Sequence, residues 1–409
     1  MRLTLETPFD RLLTERSQMV AGWVDDPGTA FALTATCGRR ALPVRPFTHP
    51  ATRAGAALRG FWLYVIVQDL LDEIRDGRLA LELAWAETPL ARLDLRVSPV
   101  AEMLAREYPL DCAAYPVPRP PAATPPPPFT IVFPGLGAVG GASLNDLLRR
   151  RMFALGWELP LYHEADDPRV WRAVVAAGLL APRWIDGHAC YAAAAALPHS
   201  FARITLLREP LARLASVFDY NTLVHPAAFP FTRFDDFVLS GAARTWSQAH
   251  GLLRAAGRAV PDDLPDRDLE ELARAELARG YALVGITERL EETIFLLCRL
   301  AGHEAIGMWW RILSAPRSVR PETLAPRVLR ALERQLGPDL ALYEERRTAL
   351  AAAAERAAFG EALAAYRRAA AAQPVLPDVY KTVECLRWRQ VMVESELARA
   401  QAAPSGRAA

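Results

Sequence analysis

The sequence predicts a protein of two parts, a small antiparallel β-sandwich followed by a larger α/β domain with a parallel sheet between two helical layers. Before about residue 100, apolar and polar residues alternate, as in strands with one buried face. After about residue 129, short runs that are apolar throughout alternate with helical segments, as in a parallel sheet covered on both faces. A run of prolines separates the two patterns.

The composition is that of a globular protein. Its 409 residues exceed one average domain, 52% of them are hydrophobic, and the formal net charge is +1. We therefore expect two or three domains with buried cores. A near-neutral charge gives no electrostatic signal for nucleic acid, so we expect no nucleic-acid partner.

Cysteine usage and apolar runs bear on metal binding and location. The five cysteines are widely spaced and form no Cys-x-x-Cys pair, which argues against a zinc site and against a disulfide framework. The longest strongly apolar run, Phe61 to Val67, is far shorter than a membrane span, and no signal-peptide pattern opens the chain. These features predict a cytoplasmic protein with no metal and no membrane span.

The N-terminal part, residues 1–110, has the periodicity of an antiparallel β-sandwich. Residues 79–85 carry a large apolar side chain at every second position, and residues 90–97 place apolar residues on one face and charged residues on the other. Residues 21–28 are typical of a strand that runs into a turn, and residues 99–110 predict a short helix. We interpret this part as an accessory domain.

Proline marks the clearest boundary. Residues 116–128 contain eight prolines in thirteen positions, which excludes a helix or a central strand and predicts a stiff spacer. We assign 111–128 to this linker, 129–355 to the α/β domain and 356–409 to a helical extension and tail.

Three segments of the α/β domain are buried strands that lead directly into helices. They cover residues 129–133, 204–207 and 282–286. The first is followed by a glycine-rich turn, residues 134–143, which we call the glycine loop. Glycines let a backbone approach an anion closely, and the N–H groups at the start of the next helix complete such a cradle.

The glycine loop taken alone leaves several interpretations open. Gly135, Gly137 and Gly140 match the Gly-x-Gly-x-x-Gly pattern of dinucleotide-binding folds. A P-loop would need Lys and Ser or Thr where this chain has Gly141 and Ala142. A turn that binds nothing is a further alternative.

A second segment is more specific. Arg208 follows the strand 204–207, Pro210 opens the next helix, and Ser216 lies two turns along it. Ligands of open α/β sheets bind beyond the carboxyl ends of the strands. Arg208 therefore stands where its planar guanidinium can bind phosphate oxygens.

The segment 204–220, with Arg208 and Ser216, closely resembles the 3′-phosphate-binding motif of sulfotransferases that use 3′-phosphoadenosine 5′-phosphosulfate (PAPS). The similarity is to the branch that includes carbohydrate 2-O-sulfotransferases. Three further segments agree in order: 186–191 with its Gly-His pair, 284–293, and 339–344 with its Leu-Tyr-Glu pattern. The resemblance spans about residues 129–350.

This resemblance implies a three-layer fold related to nucleotide kinases, PAPS as donor, and a saccharide or similar hydroxyl as acceptor. His188 is then the candidate catalytic base, since an imidazole suits proton abstraction near neutral pH. The residues implied to hold the nucleotide are Gly140, Gly141, Ala142 and Ser143 at the 5′-phosphosulfate, and Arg208 and Ser216 at the 3′-phosphate.

Two departures from the family pattern bear on activity. The family's donor loop carries a lysine where this chain has Ala138, and Lys381 is the only lysine present. Of a downstream Asn-x-Gln-Thr-Arg pattern, only Gln248 is retained. We therefore keep two alternatives to an active sulfotransferase: a catalytically silent relative that binds a nucleotide or glycan, and an NAD(P)-dependent oxidoreductase.

Overall fold

The structure is a computed structural model. It describes residues 2–7, 11–13, 17–25, 30–53, 56–107, 115–116, 130–141, 144, 158–160, 184–187, 201–302, 305–306, 319, 321–372 and 393.

Two β-sheets form the N-terminal part. One has the order β1-β3-β7-β6 and the other β2-β9-β8-β4-β5. All pairs are antiparallel except β2 with β9. The elements are β1 (Leu3–Thr7), β2 (Leu12–Leu13), β3 (Ser17–Val24), β4 (Leu33–Cys37), β5 (Arg40–Leu42), β6 (Arg45–Arg53), β7 (Ala56–Ile66), β8 (Arg78–Trp85), β9 (Thr88–Val97) and helix α1 (Pro99–Glu107).

The two sheets share one core, as the alternating pattern predicts. In β8 every second residue is buried, and Leu79 and Leu81 lie opposite Leu95 and Leu93 of β9. These leucines belong to the same buried cluster as Phe61 and other residues of β7. Apolar inner faces of two sheets packed together make a β-sandwich.

A parallel five-stranded sheet forms the centre of the second part, with the order β12-β13-β11-β14-β15. Its strands are β11 (Thr130–Pro134), β12 (Glu158–Pro160), β13 (Trp184–Gly187), β14 (Phe201–Leu207) and β15 (Leu283–Ile286). Two further strands, β10 (Tyr115–Pro116) and β16 (Ala305–Ile306), pair with each other outside this sheet. All five residues of β11 are buried, because this strand lies inside the sheet.

Helices follow β14 and β15 and continue to residue 371. They are α2 (Pro210–Val224), α3 (Phe234–Leu239), α4 (Gln248–Ala255), α5 (Asp266–Gly280), α6 (Leu290–Leu300), α7 (Pro326–Gln335), α8 (Gly337–Arg356) and α9 (Gly360–Ala371). Apolar residues of the sheet and of α4, α5, α6, α8 and α9 share one buried cluster. In the described part of the chain, no helix is long and apolar enough to cross a membrane.

The predicted α/β class is thus confirmed, with an antiparallel sandwich followed by a parallel sheet and helices. Two features concern the boundaries that the sequence suggests. Tyr115–Pro116, inside the predicted linker, pair with Ala305–Ile306 in a two-stranded antiparallel ribbon. Helix α9, inside the predicted extension, contributes Leu363 and Tyr366 to the core of the parallel sheet. The boundaries themselves stay predictions.

The pairing of β10 with β16 defines where the second part of the chain should begin if it folds on its own. We expect a fragment of residues 113–372 to fold on its own, and protease to cut the intact chain between residues 117 and 128. A fragment of residues 125–372 lacks β10 and should be less stable by roughly 1–3 kcal/mol, since each lost backbone hydrogen bond contributes about 0.5–1.5 kcal/mol. Urea unfolding of both fragments measures the difference. Insolubility of both would show that sandwich and sheet fold only together.

Candidate functional site

Several predicted site residues lie at the carboxyl edge of the parallel sheet. Strand β11 leads into the glycine loop, β14 into Arg208, and β15 into Thr287. Strands β12 and β13 lie on one side of β11, whereas β14 and β15 lie on the other. The chain order therefore reverses between β11 and β14, which is the point in an open α/β sheet where ligands bind.

The glycine loop adopts a backbone conformation that few residues accept. Gly137 and Gly140 have φ of +69° and +86°, and Ala138 has φ of +56°. A Cβ atom on Gly140 would also lie 3.2 Å from Cγ2 of Thr287. The left-handed conformation costs an alanine roughly 1–2 kcal/mol, so surrounding contacts must hold this loop in place.

Those contacts fall on four consecutive carbonyl groups. Arg213 donates from Nη2 to the Leu136 oxygen at 2.8 Å and from Nε to the Gly137 oxygen at 3.2 Å. Arg208 donates from Nη1 to the Ala138 oxygen at 2.9 Å. The Thr287 hydroxyl, which has one proton to donate, lies 2.5 Å from the Val139 oxygen and 3.1 Å from the carbonyl oxygen that ends β14.

The orientation of the carbonyls determines that of the N–H groups. In a planar trans peptide, the N–H of one residue points opposite to the C=O of the residue before it. The N–H groups of residues 137–140 therefore point away from Arg208, Arg213 and Thr287. No described residue accepts a hydrogen bond from them. Successive N–H groups turned outward from a loop are the donors that bind anions in proteins.

Arg213 lies on the first turns of α2 and is only 4% exposed. Its Nη1 donates to the carbonyl of Trp246 at 2.5 Å, in addition to the two contacts with the glycine loop. Burial is the main cause that lowers the pKa of Arg213, Asp339 opposes the shift, and the charge of Arg208 adds to it; the resulting pKa is about 10. Arg213 therefore remains a cation at neutral pH.

Arg208 is fixed through its backbone as well as its side chain. Its N–H donates to Oε1 of Gln248, and Nε2 of Gln248 donates to its carbonyl, both at 2.8 Å. The N–H groups of Gln248 and Ala249 in turn donate to Asp339 at 2.6 and 2.9 Å. Burial raises the pKa of Asp339, while these two hydrogen bonds and the Arg213 charge oppose the rise.

A second set of contacts joins the ends of β14 and β15. The Glu209 carboxylate accepts from the N–H groups of Leu211 and Ala212 and thereby caps α2. The N–H of Glu209 donates to Glu288, and the Tyr343 hydroxyl donates to the other oxygen of Glu288, both at 3.1 Å. Burial, followed by the Glu288 charge, raises the pKa of Tyr343.

The structure describes some of the site residues that the sequence predicts, but not all of them. Gly140 has a left-handed φ in the glycine loop, Gly141 follows it in a helical conformation, and Arg208 reaches the loop at Ala138. Ser216 is buried in the second turn of α2. Three of the predicted residues lie outside the described part of the chain: Ala142, Ser143 and His188.

Sequence reasoning missed Arg213, Thr287 and Asp339 as members of this site. Arg213 is five residues after Arg208 and has apolar neighbours in a largely buried helix. A charged residue at such a position is the one signal that could have identified it, because a buried charge needs partners. Thr287 and Asp339 each fall inside a segment of the resemblance, yet no residue pattern assigned them to the site.

Comparisons with known proteins add no family: no family model matches the chain, and no curated protein matches it. Within the described ranges, no group of three or more His, Cys, Asp or Glu side chains could hold a metal ion. The geometry of the site is therefore the basis for a functional proposal.

The support that Gln248 gives to Arg208 can be measured. Gln248→Ala removes the two hydrogen bonds that the buried N–H and C=O of Arg208 make with this side chain, at about 1–3 kcal/mol each. We expect a loss of roughly 2–5 kcal/mol in the free energy of unfolding.

Gln335→Ala is the matched control. Gln335 makes one hydrogen bond, 2.7 Å long, to the carbonyl of Val238. Its loss should cost about 1 kcal/mol. Urea unfolding of both variants makes the comparison, and equal losses would mean that Gln248 does not hold Arg208.

Proposed function

We propose that the chain binds an adenine nucleotide with phosphates at both its 3′ and 5′ positions, as in PAPS and its product 3′-phosphoadenosine 5′-phosphate (PAP). The observation that carries the proposal is the set of four consecutive loop carbonyls, 136–139, that face Arg213, Arg208 and Thr287. The N–H groups behind them are then the donors for the 5′-phosphate.

The charges around the loop support an anionic ligand. Arg208 and Arg213 are both buried and close enough for one to lower the pKa of the other. The carboxylate of Asp339 opposes the lowering of the Arg213 pKa. Two like charges in a buried site repel each other, and a phosphate relieves that repulsion because Coulomb attraction is strong where water is excluded.

Arg208 suits the 3′-phosphate in this arrangement. A guanidinium has several N–H donors in one plane, so the bond from Nη1 to Ala138 is compatible with a phosphate contact. Ser216, on the helix that begins after Arg208, is the second proposed ligand of the 3′-phosphate. Both assignments rest on the resemblance of the segment 204–220 to the sulfotransferase motif.

The reaction that such a nucleotide supports is sulfuryl transfer. The oxygen of an acceptor hydroxyl forms a bond to sulfur, the bond between sulfur and the bridging phosphate oxygen breaks, and PAP leaves. We propose His188 as the base that takes the hydroxyl proton, and a saccharide as acceptor. Ala138 supplies no ammonium group for the charge that develops on the bridging oxygen, so we expect slow transfer or binding alone.

The strand order favours this proposal over an NAD(P)-dependent oxidoreductase. In the dinucleotide-binding fold, the strand before the glycine-rich turn lies beside the next strand of the chain. Here β11 lies between β13 and β14, with β12 outside β13. The catalytically silent relative remains the second candidate, because Ala138 favours it.

A binding experiment tests the role of Arg208. Arg208→Ala should weaken PAP binding by about 1.5–3 kcal/mol, the contribution of hydrogen bonds to a charged group. Adenosine 5′-phosphate, which lacks the 3′ group, should lose markedly less affinity. Isothermal titration calorimetry with both ligands gives the comparison. Equal losses would assign Arg208 to the glycine loop alone, and absence of PAP binding by the natural chain would refute the proposed function.

A transfer experiment tests the role of Ala138. Ala138→Lys restores an ammonium group beside the bridging oxygen, and such a preorganised group typically contributes about 10²–10³ in rate. The backbone at this position is already left-handed with a side chain present, so lysine adds little strain. We expect weak or absent sulfuryl release from PAPS by the natural chain and a gain in Ala138→Lys. Rapid turnover by the natural chain would contradict the expectation.

A further inference from the structure

Arg213 has a set of partners that is unusual for a buried cation. Its three hydrogen bonds go to backbone carbonyls, those of Leu136, Gly137 and Trp246. Among the residues that the structure describes, none of its hydrogen bonds goes to a carboxylate. A charge removed from water without a directly bonded counter-ion is costly, so the carbonyls must replace its hydration. A change in the glycine loop that moved these carbonyls would leave the desolvation free energy of Arg213 uncompensated.

The contacts with the glycine loop have a definite geometry. Nη2 and Nε belong to one planar group, and they reach the carbonyls of two consecutive residues, Leu136 and Gly137. This fixes the planes of two successive peptides, and hence the N–H directions of Gly137 and Ala138. These are the two residues with consecutive left-handed φ values, +69° and +56°.

The third contact ties the loop to the other half of the site. The Trp246 carbonyl lies just before α4, whose first residue, Gln248, holds the backbone of Arg208. One guanidinium thus links the loop proposed for the 5′-phosphate with the segment that positions the residue proposed for the 3′-phosphate.

We propose that Arg213 is the positioning residue of this site: it holds the loop peptides with their N–H groups toward the 5′-phosphate and does not itself touch the nucleotide. The inference rests on the proposed function. It follows from the contacts of Arg213 with backbone alone, since a guanidinium that binds carbonyls on two segments fixes their relative placement.

Adenosine 5′-phosphate and adenosine 3′-phosphate each carry one phosphate, so comparing them distinguishes this role from a general loss of stability. In Arg213→Lys the charge is kept, but an ammonium cannot donate in one plane to two adjacent carbonyls. We expect affinity for PAP and for adenosine 5′-phosphate to fall about tenfold or more. Affinity for adenosine 3′-phosphate should stay within about threefold. Arg213→Gln should behave in the same way.

Arg203→Lys is the matched control. Arg203 is also largely buried, but it forms an ion pair with Glu276 at 2.9 Å. It lies near the amino end of β14, whereas the site lies at the carboxyl end. Its variant should bind all three nucleotides as the natural chain does. Equal loss of the 3′ and 5′ ligands in Arg213→Lys, or full retention of both, would overturn the positioning role.

A measurement on the natural chain covers the case in which the Arg213 variants do not fold. In NMR spectra, binding of adenosine 5′-phosphate should shift the Nε–H resonance of Arg213 and slow exchange of the N–H groups of residues 137–140. Adenosine 3′-phosphate should leave both unchanged. Absence of these effects with bound 5′-phosphate would overturn the inference.

Inorganic pyrophosphate distinguishes failure of this inference from failure of the proposed function. If the natural chain binds pyrophosphate but not PAP, the proposed nucleotide is wrong. The role of Arg213 is then supported if Arg213→Lys loses pyrophosphate binding about tenfold, and refuted if it does not. If the natural chain binds neither ligand, both proposals are wrong.

Discussion

The constraint on which the site depends is the burial of the Arg213 cation against backbone. Its charge is 4% exposed and is solvated by three carbonyls that belong to the glycine loop and to the segment before α4. A buried cation needs such partners, and carbonyls at hydrogen-bonding distance are the ones available here. The loop, the first turns of α2 and the start of α4 are therefore fixed relative to one another. Gln248 and Asp339 extend the same network to Arg208 and to the start of α8.

The shape of the glycine loop is imposed by these contacts more than by its own residues. Gly137 and Gly140 accept a positive φ at little cost, but Ala138 does not, and its φ is +56°. Arg208 binds the carbonyl of that same residue, and Arg213 binds the one before it. The strain at Ala138 is thus offset by charge-assisted hydrogen bonds, which are stronger than those between neutral groups.

Much of the fold could be predicted from the sequence, because its signals are local. Period-two alternation over residues 79–97 gave the paired strands β8 and β9, and uniformly apolar runs gave β11, β14 and β15. The strand order could not be read in this way, since it depends on which strands meet across long separations. The same limit hid the pairing of Tyr115 with Ile306 and the reach of Arg213 to Gly137 across the sheet edge. The resemblance drew attention to Arg208. The nucleotide-binding roles of Arg208, Gly140, Gly141, Ala142, Ser143 and Ser216, and the catalytic role of His188, stay predictions.

The arrangement of charge also bears on whether binding leads to turnover. Arg208 and Arg213 lie on the carbonyl side of the glycine loop, fixed by Gln248 and Trp246. In the proposed complex, they would stabilise the phosphates of the donor and of the product to a similar extent. Binding that is equal in ground state and transition state lowers KM without raising kcat. Acceleration needs a group directed at the oxygen on which charge develops, and Ala138 has only a methyl group at that position of the loop. In the proposed complex, the buried arginines would therefore contribute to affinity, and they would not replace an ammonium group at position 138.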